Sequence, residues 1–544
     1  VRNERLNRLP IDRSATRERV LLALLLAAAV GWAWANRFFQ DDAYISLTYA
    51  RNWVAGQGLV FNPGERVEGY TNFLWTALLA IPLRLGWDPV RFALLAGMAC
   101  FAGTLVVACR LARTLMPDLR GAGLCAVFLL ATNYSFSAYA TGGLETQLQT
   151  LLLAAAALLA FACEGRGRWR LREFAGVSAL AGLALLTRLD SAVLLAVPAV
   201  LALRAAWRGP RRAAALAALT IPGIILLGPW VLWKWHYYGA ILPNTFHAKC
   251  GVGAWTRGIG YVTLFFLCYL LFIPLALAVH DLWVRRHDGG SRLVRWALVA
   301  AAAWLVYVAA VGGDFMEFRF LVPSLPLLAA MAAGALVATP ARRLVLLPLL
   351  AASLVHAAWF DRSPLKRGLA SVPELRRYVE GPGNWREIGE CLRGAFRDDT
   401  DVRLAVTAAG ALPYHARLAC VDMLGLNDAW VARHGAPLSA RAGHRRIATV
   451  EYLRRRGVNL VIGHPTLVSR ADAPESYRTS DPLLQSLFVY RAMPDPESLP
   501  AGARMLEIPF DPTHVLLAIY LTPHPAVEAK IQSCGWRTRP LRNG

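Results

Sequence analysis

Twelve apolar runs follow one another along this chain, near residues 20–36, 70–86, 89–109, 121–140, 144–163, 173–187, 191–207, 213–233, 258–284, 293–311, 320–340 and 343–360. A bilayer core is crossed by about 20 consecutive apolar residues in a helix. The pattern therefore predicts a polytopic α-helical membrane protein. One run stands apart. "YTNFLWTALLAIPLRLG" at 70–86 is short, starts polar, and carries Pro82 and Arg84.

The polar segments between the runs decide whether 70–86 crosses. If it does not, one set of connections holds 23 Lys and Arg and the other set holds 9. Basic residues favour the cytoplasmic side of a membrane. If 70–86 did cross, 17 of those basic residues would face outward. About eleven spans are thus expected, with the N-terminus inside and the C-terminus outside. The run at 70–86 becomes a helix lying at the outer interface, within the first outer loop. Residues 1–19 read as a basic cytoplasmic tail with six Arg. Ala33-Trp34-Ala35 has the small-residue form of a signal-peptidase site, but with so many spans following, an uncleaved anchor is expected.

After Phe360 the pattern changes, and 361–544 holds no 18-residue apolar run. "NWREIGECLRGAF" has helical spacing and "VRLAVTAAG" is strand-like. "RRIATVEYLRRRGVNLVIGHP" reads as helix, Gly turn and strand, and "LFVYRAM" and "HVLLAIYLT" as further strands. The domains expected are the tail 1–19, a membrane domain 20–360, and an extracytoplasmic α/β domain 361–544.

Composition agrees: 56% of the 544 residues are hydrophobic and 17% charged, too apolar for a soluble protein of this size. The net charge of +22 is spread in short clusters between spans. No basic patch with interleaved aromatics suggests nucleic acid. The nine cysteines show no C-x-x-C spacing, so no zinc site is indicated. Cys391, Cys420 and Cys534 fall in the outer domain, where a disulfide is open to them.

The outer loops hold the mixed polar residues that chemistry needs. "DDAY" places Asp41 and Asp42 just past the first span. One Asp is explained by capping the next helix; a second suggests a general base beside a partner acid. "NPGERVEGYTN" offers Glu68 and Tyr70 as a cleft wall, or merely a surface turn. Carboxylates bind sugar hydroxyls and rings stack on sugar faces. "ILPNTFHAKC" carries Asn244, His247 and Lys249, and "GGDFMEFRF" carries Asp314, Glu317 and Arg319. Lys249 and Arg319 suit a phosphate clamp; their plain alternatives are a solvated lysine and an arginine paired with Glu317. Glu145 in "TGGLETQ" is a cap or a site acid, and Arg188 and Asp190 in "TRLDS" a short-range ion pair. Together these groups fit transfer from a lipid phosphate to an acceptor outside the membrane.

"DDAYISLTYARNWVAGQGLVFNPGERVEGYTNFLW", "GLET", "YYGAILPNTFHAK", "GGDFMEFRFLVPSLP", "GNWREIG" and "DMLGLND" resemble the bacterial terminal β-(1→2)-arabinofuranosyltransferase family, of the GT-C class of membrane glycosyltransferases. The resemblance runs from about Phe39 to Asp428. It implies a polyprenyl-phosphate sugar donor, typically decaprenyl-phosphoryl arabinofuranose, and an extracytoplasmic cell-envelope glycan as acceptor. It also implies residence in the cytoplasmic membrane with the site facing outward. It maps the essential acid to Asp41, with Asp42 beside it, and the donor phosphate to Lys249 and Arg319, with His247 nearby. Glu68, Tyr70, Asn244, Glu145 and Asp314 are the expected substrate contacts. No cofactor is implied, and a divalent cation is left open. The competing readings are a GT-C transferase of another sugar or to another acceptor, a transporter of lipid-linked sugars, and a glycan-binding scaffold. A transporter would place its polar residues and broken helices at the bilayer midplane; here they cluster at span ends.

Overall fold

The computed structural model describes residues 13–249, 254–284, 291–340, 342–396, 401–439 and 443–542. Eight helices among these are long and apolar enough to cross a membrane. They are helices whose outer faces stay apolar. Ile221, Ile224, Ile225 and Leu232 on the helix Arg212–Tyr238 are each more than half exposed, which is stable only if hydrocarbon surrounds them. The protein is a multi-pass membrane protein.

The span count differs from the eleven read from sequence. The run 258–284 is two helices, Trp255–Cys268 and Phe272–Val284, bent by 92°. The bend falls at Leu270, which has a positive φ of 52°. The run 121–140 is cut at Asn133. Its side chain accepts the N–H of Phe136 at 2.9 Å and starts a separate five-residue helix, so the apolar helix Ala122–Thr132 is only 11 residues long. The helix Leu171–Thr187 has 17 residues and opens on charged Arg172 and Glu173. Hydropathy sees the runs; it does not see the side-chain cap that divides one of them.

The loop after the first apolar helix contains two helices, Ala43–Val54 and Phe73–Arg84, of 12 residues each. At 1.5 Å per residue each is about 18 Å long, well short of a bilayer core. The run 70–86 thus holds a helix too short by itself to cross. The second loop helix packs on the first and against the helices Pro89–Leu115 and Leu171–Thr187.

Beyond the helix Arg342–Trp359 the chain forms a sheet domain. Its strands are β1 (Arg403–Val406), β2 (Ala419–Asp422), β3 (Ala436–Pro437), β4 (Arg446–Ile447), β5 (Leu460–Gly463), β6 (Leu467–Ser469), β7 (Tyr477–Arg478), β8 (Arg504–Pro509), β9 (His514–Tyr520) and β10 (Arg537–Arg542). The main sheet runs β2-β1-β5-β9-β8-β10-β7, with β6 beside β9; β3 and β4 form a separate pair. β1 is parallel to both neighbours, while β5, β9, β8 and β10 alternate. "NWREIGECLRGAF" is the helix Trp385–Phe396, as its spacing predicts. "LFVYRAM" is not a strand. Pro482 opens a helix, Pro482–Leu487, and Val489 and Tyr490 follow with positive φ. Leu484, Leu487 and Phe488 are buried from that helix end rather than from a pleat. Cys391, Cys420 and Cys534 are all free; Cys250 lies outside the described residues.

The sheet domain shares a core with the loop after the first apolar helix. Ile45, Tyr49, Phe61 and Tyr70 pack with Ile388, Leu404, Leu412 and Leu460. Asn62 completes the seam: its amide donates to the Cys420 carbonyl at 2.8 Å and accepts the Cys420 N–H at 3.1 Å. A side chain thus takes the place of a further strand at the edge of β2.

Candidate active site

The "DDAY" acids divide their work. Asp42 stands at the N-cap of the helix Ala43–Val54 but makes no side-chain cap bond. Capping does not explain it. Asp41 is 6% exposed, and its Oδ1 accepts the N–H of Ala411 at 2.6 Å. Ala411 begins a short helix of the sheet domain, and Gly410 before it also donates to Asp41. The approach is tight. A Cβ on Gly410 would lie 2.0 Å from the Asp41 carbonyl oxygen. Burial, then the neighbouring Asp42 charge, push the Asp41 carboxyl up to about 7. Burial raises Asp42 as well, opposed by the charges of Lys249 and Arg319.

Those two cations come from distant segments. Lys249 ends the short helix Asn244–Lys249. Burial lowers it from the ordinary lysine value, opposed by Asp42. Arg319 is 5% exposed. Its Nε donates to Asp314 Oδ2 at 2.8 Å, while Asp314 Oδ1 accepts the Phe315 N–H. Asp314 thus fixes the direction of the guanidinium.

Behind Arg319 lies a second, fully paired layer. Arg188 grips Asp190 through Nε and Nη2, at 2.6–3.1 Å, and donates from Nη1 to Glu145 at 2.9 Å. Asn72 donates to the other Glu145 oxygen at 2.8 Å, and exchanges hydrogen bonds with Ser46. Gln149 closes on Asp190. Glu145 is deeply buried, which works against its charge, but Arg188 and Arg319 hold it below the usual carboxylate range. Asn72, Glu145, Arg188 and Arg319 come from four separate loops that meet at one end of the helical bundle.

Beside Asp314 is a cavity of about 990 Å³. Ile259, Leu264 and Leu267 of the bent helix form its apolar wall; Arg257, Lys366 and Arg367 form its polar side. No group of three or more His, Cys, Asp or Glu among the described residues is placed to hold a metal ion.

This architecture has known counterparts. The crystal structure of ArnT from Cupriavidus metallidurans bound to undecaprenyl phosphate superposes with a TM-score of 0.54, covering 93% of this chain and 98% of that one at 15% identity. This is the GT-C fold. In sequence, a terminal β-(1→2)-arabinofuranosyltransferase of Mycobacterium tuberculosis is 31% identical over 271 residues, covering 47% of this chain and 42% of that protein. The enzyme of the same name from Corynebacterium glutamicum is 30% identical over 349 residues, covering 57% and 49%. The chain spans less than half the length of the curated relatives that it matches. Residues 375–502 match a family described as Domain of unknown function (DUF8728).

Within the GT-C frame, some of the expected residues converge and others do not. Asp41, Asp42, Lys249, Arg319, Asp314 and Glu145 share one neighbourhood. Glu68 does not face Asp41. It is 4% exposed and paired at 2.8 Å with Lys234 of the helix Arg212–Tyr238. Burial raises it to about 7, and Lys234 opposes the shift. Tyr70 is buried in the shared core, its ring 4.9 Å from that of Tyr49, so it is no open platform for a sugar. Asn244 spends its amide on the carbonyls of Gly425 and Leu426 in "DMLGLND". His247 lines a separate hollow with Arg433 and Arg446. Sequence reasoning passed over Lys234, Asn72 and Gly410. Lys234, directly after an apolar run, was the one with a legible signal: a lone charge beside so long an apolar segment needs a partner.

Proposed function

We propose that this protein is a membrane glycosyltransferase that moves a sugar, D-arabinofuranose by its resemblance, from a polyprenyl-phosphate donor to an extracytoplasmic glycan. The observation that carries the reading is the carboxylate pair Asp41–Asp42 set against Lys249 and Arg319, where the spans end. Positive charges at that place suit a phosphate, and the adjoining cavity has an apolar wall for a prenyl chain. The likeness to a fold that holds undecaprenyl phosphate in ArnT supports the same donor class here.

In this mechanism Asp41 accepts the proton of the acceptor hydroxyl as that oxygen attacks C1 of the sugar. The bond from C1 to the phosphate oxygen breaks, and Lys249 and Arg319 stabilise the charge that gathers on the phosphate. A carboxyl near 7 suits a base working at neutral pH. Asp42 keeps the two cations oriented toward the reacting centre. The surplus of basic residues on the opposite loops supports an outward-facing site in the cytoplasmic membrane. A divalent cation at Asp41 and Asp42 would add to the same charge balance. Turnover that persists in EDTA leaves the work to Lys249 and Arg319; turnover lost in EDTA and restored by Mg²⁺ assigns that cation.

The test is transfer by purified protein in detergent, given synthetic polyprenyl-phosphoryl arabinofuranose and a short arabinan. Wild type is expected to extend the arabinan, and Asp41→Asn to fall by a factor of about 10²–10⁴. Normal transfer by Asp41→Asn would remove Asp41 from the role of base. No transfer by wild type, with turnover of another lipid-phosphate sugar, would keep the transferase and replace the arabinose.

A further inference from the structure

At the other end of the helical bundle is a larger and differently built cavity, of about 1220 Å³. The helix Thr146–Gly165 joins the two ends: Glu145 precedes it at the candidate active site, and Glu164 lines the cavity. Its 20 residues set the ends about 30 Å apart. The cavity is bounded by the helices that begin or finish there, including Leu171–Thr187, Ala192–Arg208 and Arg212–Tyr238.

Eight arginines line this cavity against one acid, Glu164, and Glu164 is already paired with Arg292 at 2.7 Å. Arg168, Arg208, Arg211 and Arg295 make no ion pair among the described residues. All eight arginines are exposed, and so dense a cluster of one sign sets up a positive potential that draws anions to the cavity. The walls are not those of a site for a small soluble anion. Leu171, Phe174, Leu201 and Val299 are apolar. Trp169 stacks on Phe174 at 5.0 Å, and Arg204 lies over the Trp296 ring. The indole N–H of Trp169 is buried with no hydrogen-bond partner. Tryptophan, arginine and apolar surface together are the composition of a membrane interface.

We infer that this cavity binds the phosphate headgroup of an anionic phospholipid in the leaflet opposite the candidate active site, with the acyl chains against its apolar walls. Arginine forks match phosphate oxygens in geometry as well as charge. The site is independent of the sugar-transfer reading and lies a membrane thickness away from it.

Full-length protein, delipidated in neutral detergent, would be titrated with dioleoyl-phosphatidylglycerol, with dioleoyl-phosphatidylcholine and with inorganic phosphate. Fluorescence of the tryptophans reports binding, and native mass spectrometry counts retained lipid. Phosphatidylglycerol is expected to saturate at about one lipid per chain, phosphatidylcholine to bind far more weakly, and inorganic phosphate to compete only in large excess. Arg168→Ala/Arg208→Ala/Arg295→Ala should weaken phosphatidylglycerol binding on the order of hundredfold. Should that variant fail to fold, Arg208→Ala and Arg295→Ala alone should each cost about fivefold. Equal binding of the two lipids, undiminished binding by the variants, or full displacement by millimolar phosphate would each overturn the site.

Discussion

Asp41 is asked to do two things that titration pulls apart. Its carboxyl, raised to about 7, binds a proton in the folded protein at pH values where the unfolded chain has lost it. Stability from this group is therefore greatest at low pH and declines as pH rises from about 4 through about 7. A base must be ionised, so activity should run the other way and climb through about 7. Thermal midpoints and rates measured from pH 5 to 8 should show these opposed slopes, and Asp41→Asn should flatten the stability slope. The same variant separates chemistry from docking. Asparagine keeps an oxygen that can accept the Ala411 N–H, so folding should persist while turnover is lost. Asp41 and Asp42 were legible in the sequence because two adjacent acids beside a span are costly without a task. Which of them meets the sheet domain was not, since the partner lies 370 residues away.

Short polar segments gain their meaning from the helix ends that carry them. The Glu145–Arg188–Asp190 layer holds Arg319 from behind. Arg188→Ala would leave the buried Glu145 and the partly buried Asp190 without their paired cation, a loss of about 3–5 kcal/mol, read as a lowered denaturant or thermal midpoint. The docking of the sheet domain depends on contacts that tolerate little change. Gly410→Ala would drive a methyl into the Asp41 backbone and should open the seam, seen as faster proteolysis between the membrane and sheet domains. Asn62→Ala removes both hydrogen bonds to β2 and should cost about 1–3 kcal/mol. Glu68, Tyr70 and Asn244 looked like substrate groups because acids, aromatics and amides in an outer loop suit a sugar. In the structure Glu68 pairs with Lys234, Tyr70 packs in the shared core and Asn244 binds backbone carbonyls, and periodicity could not have said so. Lys234, whose charge satisfies Glu68, follows a different apolar run.

The whole molecule is a helical bundle with a sheet domain clasped to the loop after its first apolar helix, and its two ends differ in charge and lining. If the candidate site faces outward, Cys534, which is exposed, should react with a membrane-impermeant maleimide in intact cells, and a Cys534→Ser protein should lose that labelling. Labelling only after lysis would invert the orientation.

By itself the sequence determined the membrane class, and it marked the change of pattern after Phe360, the short run 70–86 and the acid pair. All of these rest on local hydropathy or on charge summed along the chain. The structure alone decided the break at Asn133, the turn in place of a strand at Val489, and the partners of Glu68, Asn244 and Asp41. Each depends on which atoms meet across long stretches of chain, and a buried polar group takes whichever partner the packing brings within hydrogen-bond reach.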